Sequence, residues 1–284
     1  MSRYKYCFVK INFIIVILVA IPYILTAQDV KWKRGSTVTQ ELELFHSTHV
    51  INLLTAETLQ QGDFEFEVSH RFIPPIKEGY DAFWGLDGPA NIRLALGYAL
   101  TNHSVLTLGR SNVTDNLDVQ LKYKTFQIRH DIFPSLITFN LGAAWNTEVG
   151  DRPKGDSRNF QYFAQLIYNT LIIEKIGIGI VPSYLYNSAL TTEEVKYSFT
   201  MGTYFQYYIS STWSVMIEWN PTVTGWRDSY NSVSGGVELE TGGHFFKIFV
   251  TNNDLINMSQ FLAGADKKFG DGEVRLGFMI TRLL

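Results

Sequence analysis

The sequence is poor in cysteine, because its 284 residues contain only one, Cys7. A chain whose single thiol is lost with its leader has no disulfide and no thiolate metal site, so backbone pairing and packing must hold it together. Basic residues are not in excess, since 24 lysines and arginines stand against 27 aspartates and glutamates. This balance argues against a nucleic-acid partner. The sequence also lacks a Pro- or Ser-rich linker, which favours one domain behind a short lead.

The amino terminus has the composition of an export signal. Arg3, Lys5 and Lys10 occur without an acidic residue, and an apolar stretch over residues 11–25 follows. A basic segment, an apolar stretch and a small residue are typical of a secretory signal peptide, and we expect cleavage after Ala27. A membrane anchor is the alternative, but a spanning helix needs about 20 apolar residues. Cleavage leaves 21 basic and 27 acidic residues, a net charge of −6.

From residue 63 onward, apolar residues alternate with other residues in a series of short stretches. Phe64, Phe66 and Val68, for example, alternate with Glu65 and Glu67. Such alternation puts successive side chains on opposite faces of a β-strand. About twelve stretches can be counted, at approximately residues 64–72, 91–100, 104–110, 117–124, 137–145, 162–168, 176–186, 197–207, 213–219, 233–239, 246–250 and 274–280.

The connections between these stretches distinguish a membrane barrel from a soluble sandwich, which also alternates. Apart from one near-tie, every odd-numbered connection is longer than its even-numbered neighbours, and the long ones include about residues 73–90, 147–158, 221–231 and 252–271. Short turns at one rim and long loops at the other are typical of outer-membrane barrels. A Greek-key sandwich has no reason to sort loop length in this way. The connections therefore favour a barrel.

The inward face of this barrel is predicted to carry charges of both signs. The candidate lumen-lining residues are Glu65, Glu67, Arg71, Arg93, Asp118, Lys122, Lys124, Glu218, Glu238, Glu240, Lys247 and Arg275. Solvated, they would line a pore that selects solutes by charge; paired, they would fill the lumen. Twelve strands lie between the filled eight-stranded and the open sixteen-stranded case, so both hypotheses stay open. The lead over residues 28–62 does not alternate, and it either plugs the lumen or lies passively on the periplasmic side.

The sequence offers little evidence of catalytic chemistry. Its six histidines are His46, His49, His70, His103, His130 and His244. None occurs in a Gly-x-Ser-x-Gly or His-x-Ser arrangement, as a serine hydrolase would require, and His130-Asp131 beside Pro134 is more typical of a turn. Glu43, His46 and His49 have a helical spacing but lack a fourth ligand. We therefore predict no catalytic residue, no metal ion and no cofactor.

A set of short motifs is spread over nearly all of the chain behind residue 50. They are Ile51-Asn52, Thr55-Ala56-Glu57-Thr58-Leu59, Gly62, Phe64-Glu65-Phe66, Ser69-His70-Arg71-Phe72, Gly85-Leu86-Asp87-Gly88-Pro89-Ala90-Asn91-Ile92-Arg93, Leu106, Gly109-Arg110-Ser111 and Lys122-Tyr123-Lys124. Together they resemble an uncharacterised family of Bacteroidota membrane β-barrel proteins, a domain of unknown function. The resemblance implies an outer-membrane barrel and supplies no catalytic residues.

The predicted fold is all-β, a single antiparallel up-and-down transmembrane β-barrel of about 12 strands behind an N-terminal signal peptide. We expect the signal peptide over residues 1–27, the lead over residues 28–62 and the barrel over residues 63–284. The expected partners are outer-membrane lipid and a small solute, with no nucleic acid, and the oligomeric state stays open. The favoured function is a pore that passes or binds a solute. The alternatives are a non-conducting structural or surface barrel, a secreted soluble β protein, and a barrel-embedded lipid hydrolase.

We expect the exported protein to require detergent for extraction and to migrate faster on a gel before heating than after it. A closed barrel keeps its strand pairs without an open edge, so the unheated chain stays more compact than the heated one. Solubility without detergent, together with one mobility under both conditions, would instead indicate a secreted β protein.

Overall fold

The alternating stretches form a closed antiparallel barrel in the computed structural model, which describes residues 41–284. The strands are β1 (Phe64–Phe72), β2 (Ala90–Thr101), β3 (Ser104–Ser111), β4 (Asn116–Ile128), β5 (Ser135–Asn146), β6 (Phe160–Ile172), β7 (Ile176–Tyr186), β8 (Tyr197–Tyr208), β9 (Trp213–Asn220), β10 (Thr222–Gly225), β11 (Ser232–Glu240), β12 (His244–Thr251) and β13 (Arg275–Leu283). The predicted signal peptide and residues 28–40 of the predicted lead lie outside the described residues. Within residues 41–284, no helix is both long and apolar enough to cross a membrane.

The sheet closes because β1 pairs with β13 as well as with β2. On the other side of the barrel, β8 pairs with β9 through Thr203–Tyr208 and with β10 through residues 198–200. Pro221 separates β9 from β10, and a proline has no N–H to donate to a ladder. β9 and β10 therefore share one position in the wall, and the barrel has twelve strand positions, as the alternation predicts.

The two faces of the wall differ in the way that the alternation predicts. In β4, Leu117 and Val119 are exposed on the outside, whereas Asp118 and Gln120 are buried on the inside. The same outward apolar pattern recurs around the barrel, including Leu94, Leu96, Leu108, Phe139, Leu141, Tyr162, Phe205, Ile217 and Ile248. Exposed apolar side chains on such a scale are suited to hydrocarbon tails rather than to water.

The connections sort by length onto two rims. Residues 73–89, 147–159, 187–196 and 252–274 form long connections at one rim, here called the long-loop rim. The opposite rim, here called the short-turn rim, has connections of two to four residues at 102–103, 173–175, 209–212 and 241–243 and a longer one at 129–134. The near-tie falls at residues 112–115 and 129–134. In the latter, His130 Nδ1 accepts hydrogen bonds from the N–H groups of Ile132 and Phe133, which confirms the predicted turn.

Part of the lead lies inside the barrel. Residues 44–57, here called the lumen plug, are almost entirely buried and hydrogen-bond to inward side chains of the wall. From the long-loop rim, the connection over residues 252–274 also folds inward and includes the four-residue helix α1 (Met258–Phe261). Gln161 Nε2 donates to the carbonyl of Ser259 in α1 at 3.1 Å. Polypeptide therefore fills the lumen from both ends.

The lumen plug, the wall and the segment around α1 share one apolar core. The plug contributes Leu44, Phe45, Val50, Ile51, Leu53, Leu54 and Ala56; the wall contributes Leu136, Phe163, Ile167, Val181, Leu185, Tyr204, Met216, Phe249 and Met279; and the third part consists of Met258, Phe261, Leu262 and Ala263. Burying one such large side chain stabilises a fold by about 1.5–3 kcal/mol. The plug is therefore a substantial part of the folded state.

Two glycines of the inner wall make room for side chains of the lumen plug. A Cβ added at Gly177 would lie 2.6 Å from the ring of Phe45, and one added at Gly202 would lie 2.9 Å from Leu53. Real Cβ atoms do not approach other atoms so closely, and the core leaves the ring little space in which to move. Both positions therefore require glycine for close packing rather than for backbone freedom.

We predict that Gly177→Ala destabilises the barrel by about 1–3 kcal/mol, the usual cost of overpacking a core. The gel band of the unheated, folded form should then convert to the heated form at a lower temperature than in the wild type. Gly235→Ala is the matched control, because its nearest neighbour would be 3.6 Å away. Equal conversion temperatures for the two variants would show that the plug does not pack against Gly177.

Candidate functional site

Glu218 of β9 anchors the turn of the lumen plug. Its Oε1 accepts hydrogen bonds from the backbone N–H groups of Ile51, Asn52 and Leu53, at 2.6, 2.9 and 2.9 Å. The carboxylate is buried, and hydrogen bonds to an ionised acceptor are stronger than those between neutral groups. One wall side chain thus satisfies three successive peptide groups that would otherwise be buried without a partner.

Asn52 connects this carboxylate to a buried cation. Its Nδ2 donates to Glu218 Oε2 at 3.0 Å and to Ser234 Oγ at 2.9 Å, while its Oδ1 accepts from Arg71 Nη2. The Arg71 guanidinium also lies 4.2 Å from the centre of the Phe249 ring, in a cation–π contact. The amide of the plug therefore bridges two opposite charges on the wall.

A second anchor joins β11 and β12 to the plug. Lys247 Nζ lies 3.2 Å from Glu238 Oε2, and both side chains are fully buried. Lys247 also donates to Ser47 Oγ at 2.8 Å and to the carbonyl of His49, and Ser47 Oγ donates to Glu238 Oε2 at 3.0 Å. An ion pair removed from water needs such additional hydrogen bonds, and the plug supplies them.

Further wall side chains match the polarity of the plug backbone. Lys122 Nζ faces the carbonyls of Thr48 and Thr55 at 3.5 Å. Asn169 Oδ1 accepts a hydrogen bond from the N–H of Ala56 at 2.6 Å, and Thr138 Oγ1 donates one to the carbonyl of Ala56 at 2.9 Å. The inner wall thus presents acceptors to plug N–H groups and donors to plug carbonyls.

Four further inward charges form ion pairs away from the plug turn. Arg93 lies between Glu67 and Asp118, with N–O distances of 2.7 and 3.0 Å, and links β2 to β1 and β4. Arg275 pairs with Asp266 of the long-loop rim at 2.6 Å. These contacts tie neighbouring strands and the inward-folded connection together.

The structure places eleven of the twelve candidate lumen-lining residues in buried positions on the inner wall, and Glu240 is half-buried at the short-turn rim. Most of them meet each other or the plug. Between the plug and α1 there remains a space of about 10 Å³, lined by His49, Asn52 and Met258 among others. A cavity of that size holds at most one water molecule. The inward charges therefore do not line an open channel in this state.

The sequence analysis did not identify the residues that form hydrogen bonds with the plug or with the inward charged side chains. Asn52 and Ser47 belong to a segment without periodicity, so their contacts to Glu218 and Glu238 could not be anticipated. Asn169 could have been found, because it occupies an inward position where an amide would need a partner.

One cluster of side chains, Thr48, His49 and Glu67, contains a hydroxyl, an imidazole and a carboxylate, the groups of a catalytic triad. Thr48 Oγ1 lies 2.9 Å from His49 Nδ1, and His49 Nε2 lies 3.8 Å from Glu67 Oε2. However, the Thr48 hydroxyl donates to Glu65 at 2.7 Å, and Glu67 binds Arg93. The longer distance is not a hydrogen bond, so no third group orients the imidazole. Within residues 41–284, no three His, Cys, Asp or Glu side chains are placed to hold a metal ion.

Comparison with known proteins gives one family match. A model of a family described as a membrane-bound β-barrel domain, DUF5777, matches residues 45–284. The match includes all but the first residue of the lumen plug and the whole barrel. The search of curated proteins found no match.

Solved structures of low similarity accompany this family match. They include the NanC porin (9% identity, 78% of this chain and 98% of that chain covered, TM-score 0.45). A bacterial polysaccharide outer-membrane secretin has 9% identity, coverage of 80% and 100% and a TM-score of 0.37. For LpxR from Salmonella typhimurium, the values are 9% identity, 78% and 99% coverage and a TM-score of 0.36. Likenesses at this level carry no information about ligand or activity.

We predict that Glu218→Ala loosens the lumen plug, because it leaves three buried N–H groups without an acceptor. Each unsatisfied N–H group costs about 1–3 kcal/mol of folding free energy. The readout is maleimide labelling of Ala56→Cys in a Cys7→Ser background, since Ala56 is fully buried. Labelling should be slow with Glu218 present and at least about tenfold faster without it.

Glu193→Ala is the control for this experiment, because that carboxylate is exposed in a connection of the long-loop rim. Its labelling rate should equal that of the parent. Unchanged labelling in Glu218→Ala would show that the carboxylate does not hold the plug.

Proposed function

We propose that this chain, which belongs to DUF5777, the family of membrane-bound β-barrel domains, is an outer-membrane barrel that its own polypeptide keeps closed to solutes. The proposal thus selects the non-conducting barrel among the alternatives that the sequence leaves open. The observation that carries it is the apolar core shared by the lumen plug and the inner wall.

The inner wall beneath the plug supports permanent closure. Leu136, Ile167, Val181 and Leu185 point inward and are completely buried. A conducting barrel has a polar interior that water can wet, whereas these residues form one side of a packed core. Withdrawal of the plug would expose these side chains to water, which costs a free energy of about 25 cal/mol per Å² of apolar surface.

The connection over residues 252–274 supports closure from the opposite rim. Asn253 Nδ2 donates to Ser232 Oγ at 2.7 Å and to the carbonyl of Gly264 at 2.8 Å. Gln260 Nε2 donates to Thr114 Oγ1 at 2.8 Å. These amides join the connection to β11, to itself and to the connection between β3 and β4. A solute arriving from outside would therefore meet ordered polypeptide.

In this proposal the protein is not an enzyme. Its partner is outer-membrane lipid, which contacts the exposed apolar face of the barrel. The arrangement of Thr48, His49 and Glu67 supports the absence of hydrolase activity, because the hydroxyl is engaged with Glu65 and the imidazole lacks an orienting group. A triad requires both groups within hydrogen-bond distance.

We predict that the purified wild-type protein produces no stepwise current openings in a planar bilayer, even at high protein loading. Glu218→Ala combined with Lys247→Met should produce openings, because both anchors of the plug are then lost and the segment around α1 loses the core that it shares with the plug. Glu193→Ala is again the control and should stay silent. Regular openings of the wild type would overturn the proposal and favour a pore.

A further inference from the structure

The outward face of β13 carries a basic residue where the strand reaches the short-turn rim. Leu276, Phe278 and Ile280 occupy successive outward positions, and Arg282 follows on the same parity, one residue before the strand ends. Its side chain is exposed. An arginine on the lipid-facing side of a barrel costs little only near the membrane interface, where its head can reach the polar headgroups of the lipids.

His244 lies beside Arg282 on the same face of the wall. The two residues are direct partners in the antiparallel pairing of β12 with β13, which places their Cβ atoms about 4.5–5.5 Å apart. The His244 ring stacks with the ring of Phe246, with 6.2 Å between the centroids and 8° between the planes. Because Phe246 is exposed on the outer face, the imidazole also lies on the membrane side. Arg282 and His244 are here called the basic pair.

The described part of the chain supplies no anion to the basic pair. Among residues 41–284, no ion pair involves Arg282, and neither its guanidinium nor the His244 ring forms a side-chain hydrogen bond. Two acidic residues of the same rim, Asp63 and Glu240, line a cavity inside the barrel instead. A cation on the outer, apolar surface therefore finds its counter-ion outside the protein.

Arg110 shows the contrasting case at the long-loop rim. It also points outward from its strand, β3, and it is exposed. Its guanidinium forms an ion pair with Asp115 of the following connection. The two outward arginines therefore differ in that one has an acidic partner within the protein and the other does not.

Apolar side chains continue from the basic pair towards the middle of the membrane. Ile280 is the next outward residue of β13, and in the register it lies between Phe246 of β12 and Val68 of β1. Phe66 of β1 flanks Arg282 on the side opposite His244 and is exposed. A basic group at the interface with an apolar strip beside it matches an amphiphile that has an anionic headgroup and acyl chains.

A phosphate diester is the anion that suits these donors. The planar guanidinium of an arginine can bind two phosphate oxygens at once, with hydrogen bonds that charge strengthens. An imidazole has at least one N–H donor in either protonation state. The basic pair can therefore hold one phosphate group from two neighbouring strands.

We propose that the basic pair binds the phosphate of an anionic phospholipid, whose acyl chains lie along Ile280, Phe246 and Val68. The site rests on the proposed contact of the outer face with membrane lipid, and it does not depend on closure of the lumen. A zwitterionic lipid is a weaker ligand, because its own ammonium group offsets the attraction between its phosphate and Arg282.

The test is native mass spectrometry of the folded full chain in detergent, titrated with phosphatidylglycerol or with phosphatidylcholine that has the same acyl chains. We expect one phosphatidylglycerol molecule to be retained, with an affinity at least about tenfold above that of phosphatidylcholine. Arg282→Gln should weaken phosphatidylglycerol binding at least about tenfold, because the contact between guanidinium and phosphate is lost. The heat-modifiable mobility of this variant should be kept, since the side chain is exposed.

Two further variants locate the effect. His244→Phe keeps an aromatic ring beside Phe246 and removes the N–H donor, so it should weaken phosphatidylglycerol binding about threefold or more. Arg110→Gln is the matched control, because it removes the outward arginine that pairs with Asp115. This variant should bind phosphatidylglycerol as the wild type does.

Equal affinities for the two lipids, unchanged binding after Arg282→Gln, or an equal loss in Arg110→Gln would overturn the proposal. Displacement of the lipid by an equal concentration of inorganic phosphate would also overturn it, since the pair would then bind a free anion. The outcome is separable from that of the conductance experiment. A silent barrel that does not distinguish the lipids contradicts only the lipid site, and a conducting barrel that prefers phosphatidylglycerol contradicts only the proposed closure.

Discussion

The hydrogen bonds from three successive plug amides to Glu218 are the interaction on which the rest of the interior depends. A segment without regular secondary structure can be buried only if its peptide groups find partners. Glu218 satisfies N–H groups, whereas Lys122 and Lys247 face carbonyls. Charges that look like the lining of a pore thus act as the hydrogen-bond partners of a buried chain.

The barrel wall therefore has apolar side chains on both faces, outside towards the membrane and inside towards the plug. Outside, residues such as Leu94 and Ile217 are exposed to the membrane, and inside, Leu136 and Val181 pack against the plug and α1. The polar side chains on the inner face are buried, so each charge among them needs a partner within the protein. The pairing of Arg93 with Glu67 and Asp118 and the bridge through Asn52 follow from that requirement.

The wall could be predicted from the sequence and the filled lumen could not, for a physical reason. Strand alternation is local, so Leu117 and Asp118 reveal opposite faces by themselves. The contact of Asn52 with Glu218 joins residues 166 positions apart and leaves no periodic trace. A local signal does exist: Leu136, Ile167, Val181 and Leu185 are apolar at inward positions of the strands, most of which are polar. Apolar residues on an inward face require an apolar partner inside, and among residues 41–284 the plug and the segment around α1 provide it.

The two ends of the filled lumen differ in the polar groups that they contain. Towards the long-loop rim, the inward-folded connection is fixed mainly by neutral amides, among them Asn252, Asn253 and Gln260. Towards the short-turn rim, six carboxylates line a cavity, and none of its lining residues in the described part of the chain is a lysine or arginine. The amides of this connection donate to backbone carbonyls and to a hydroxyl, so their hydrogen bonds are satisfied without a charged partner. The filled lumen is therefore held mainly by neutral hydrogen bonds near the long-loop rim, whereas acidic side chains are concentrated near the short-turn rim.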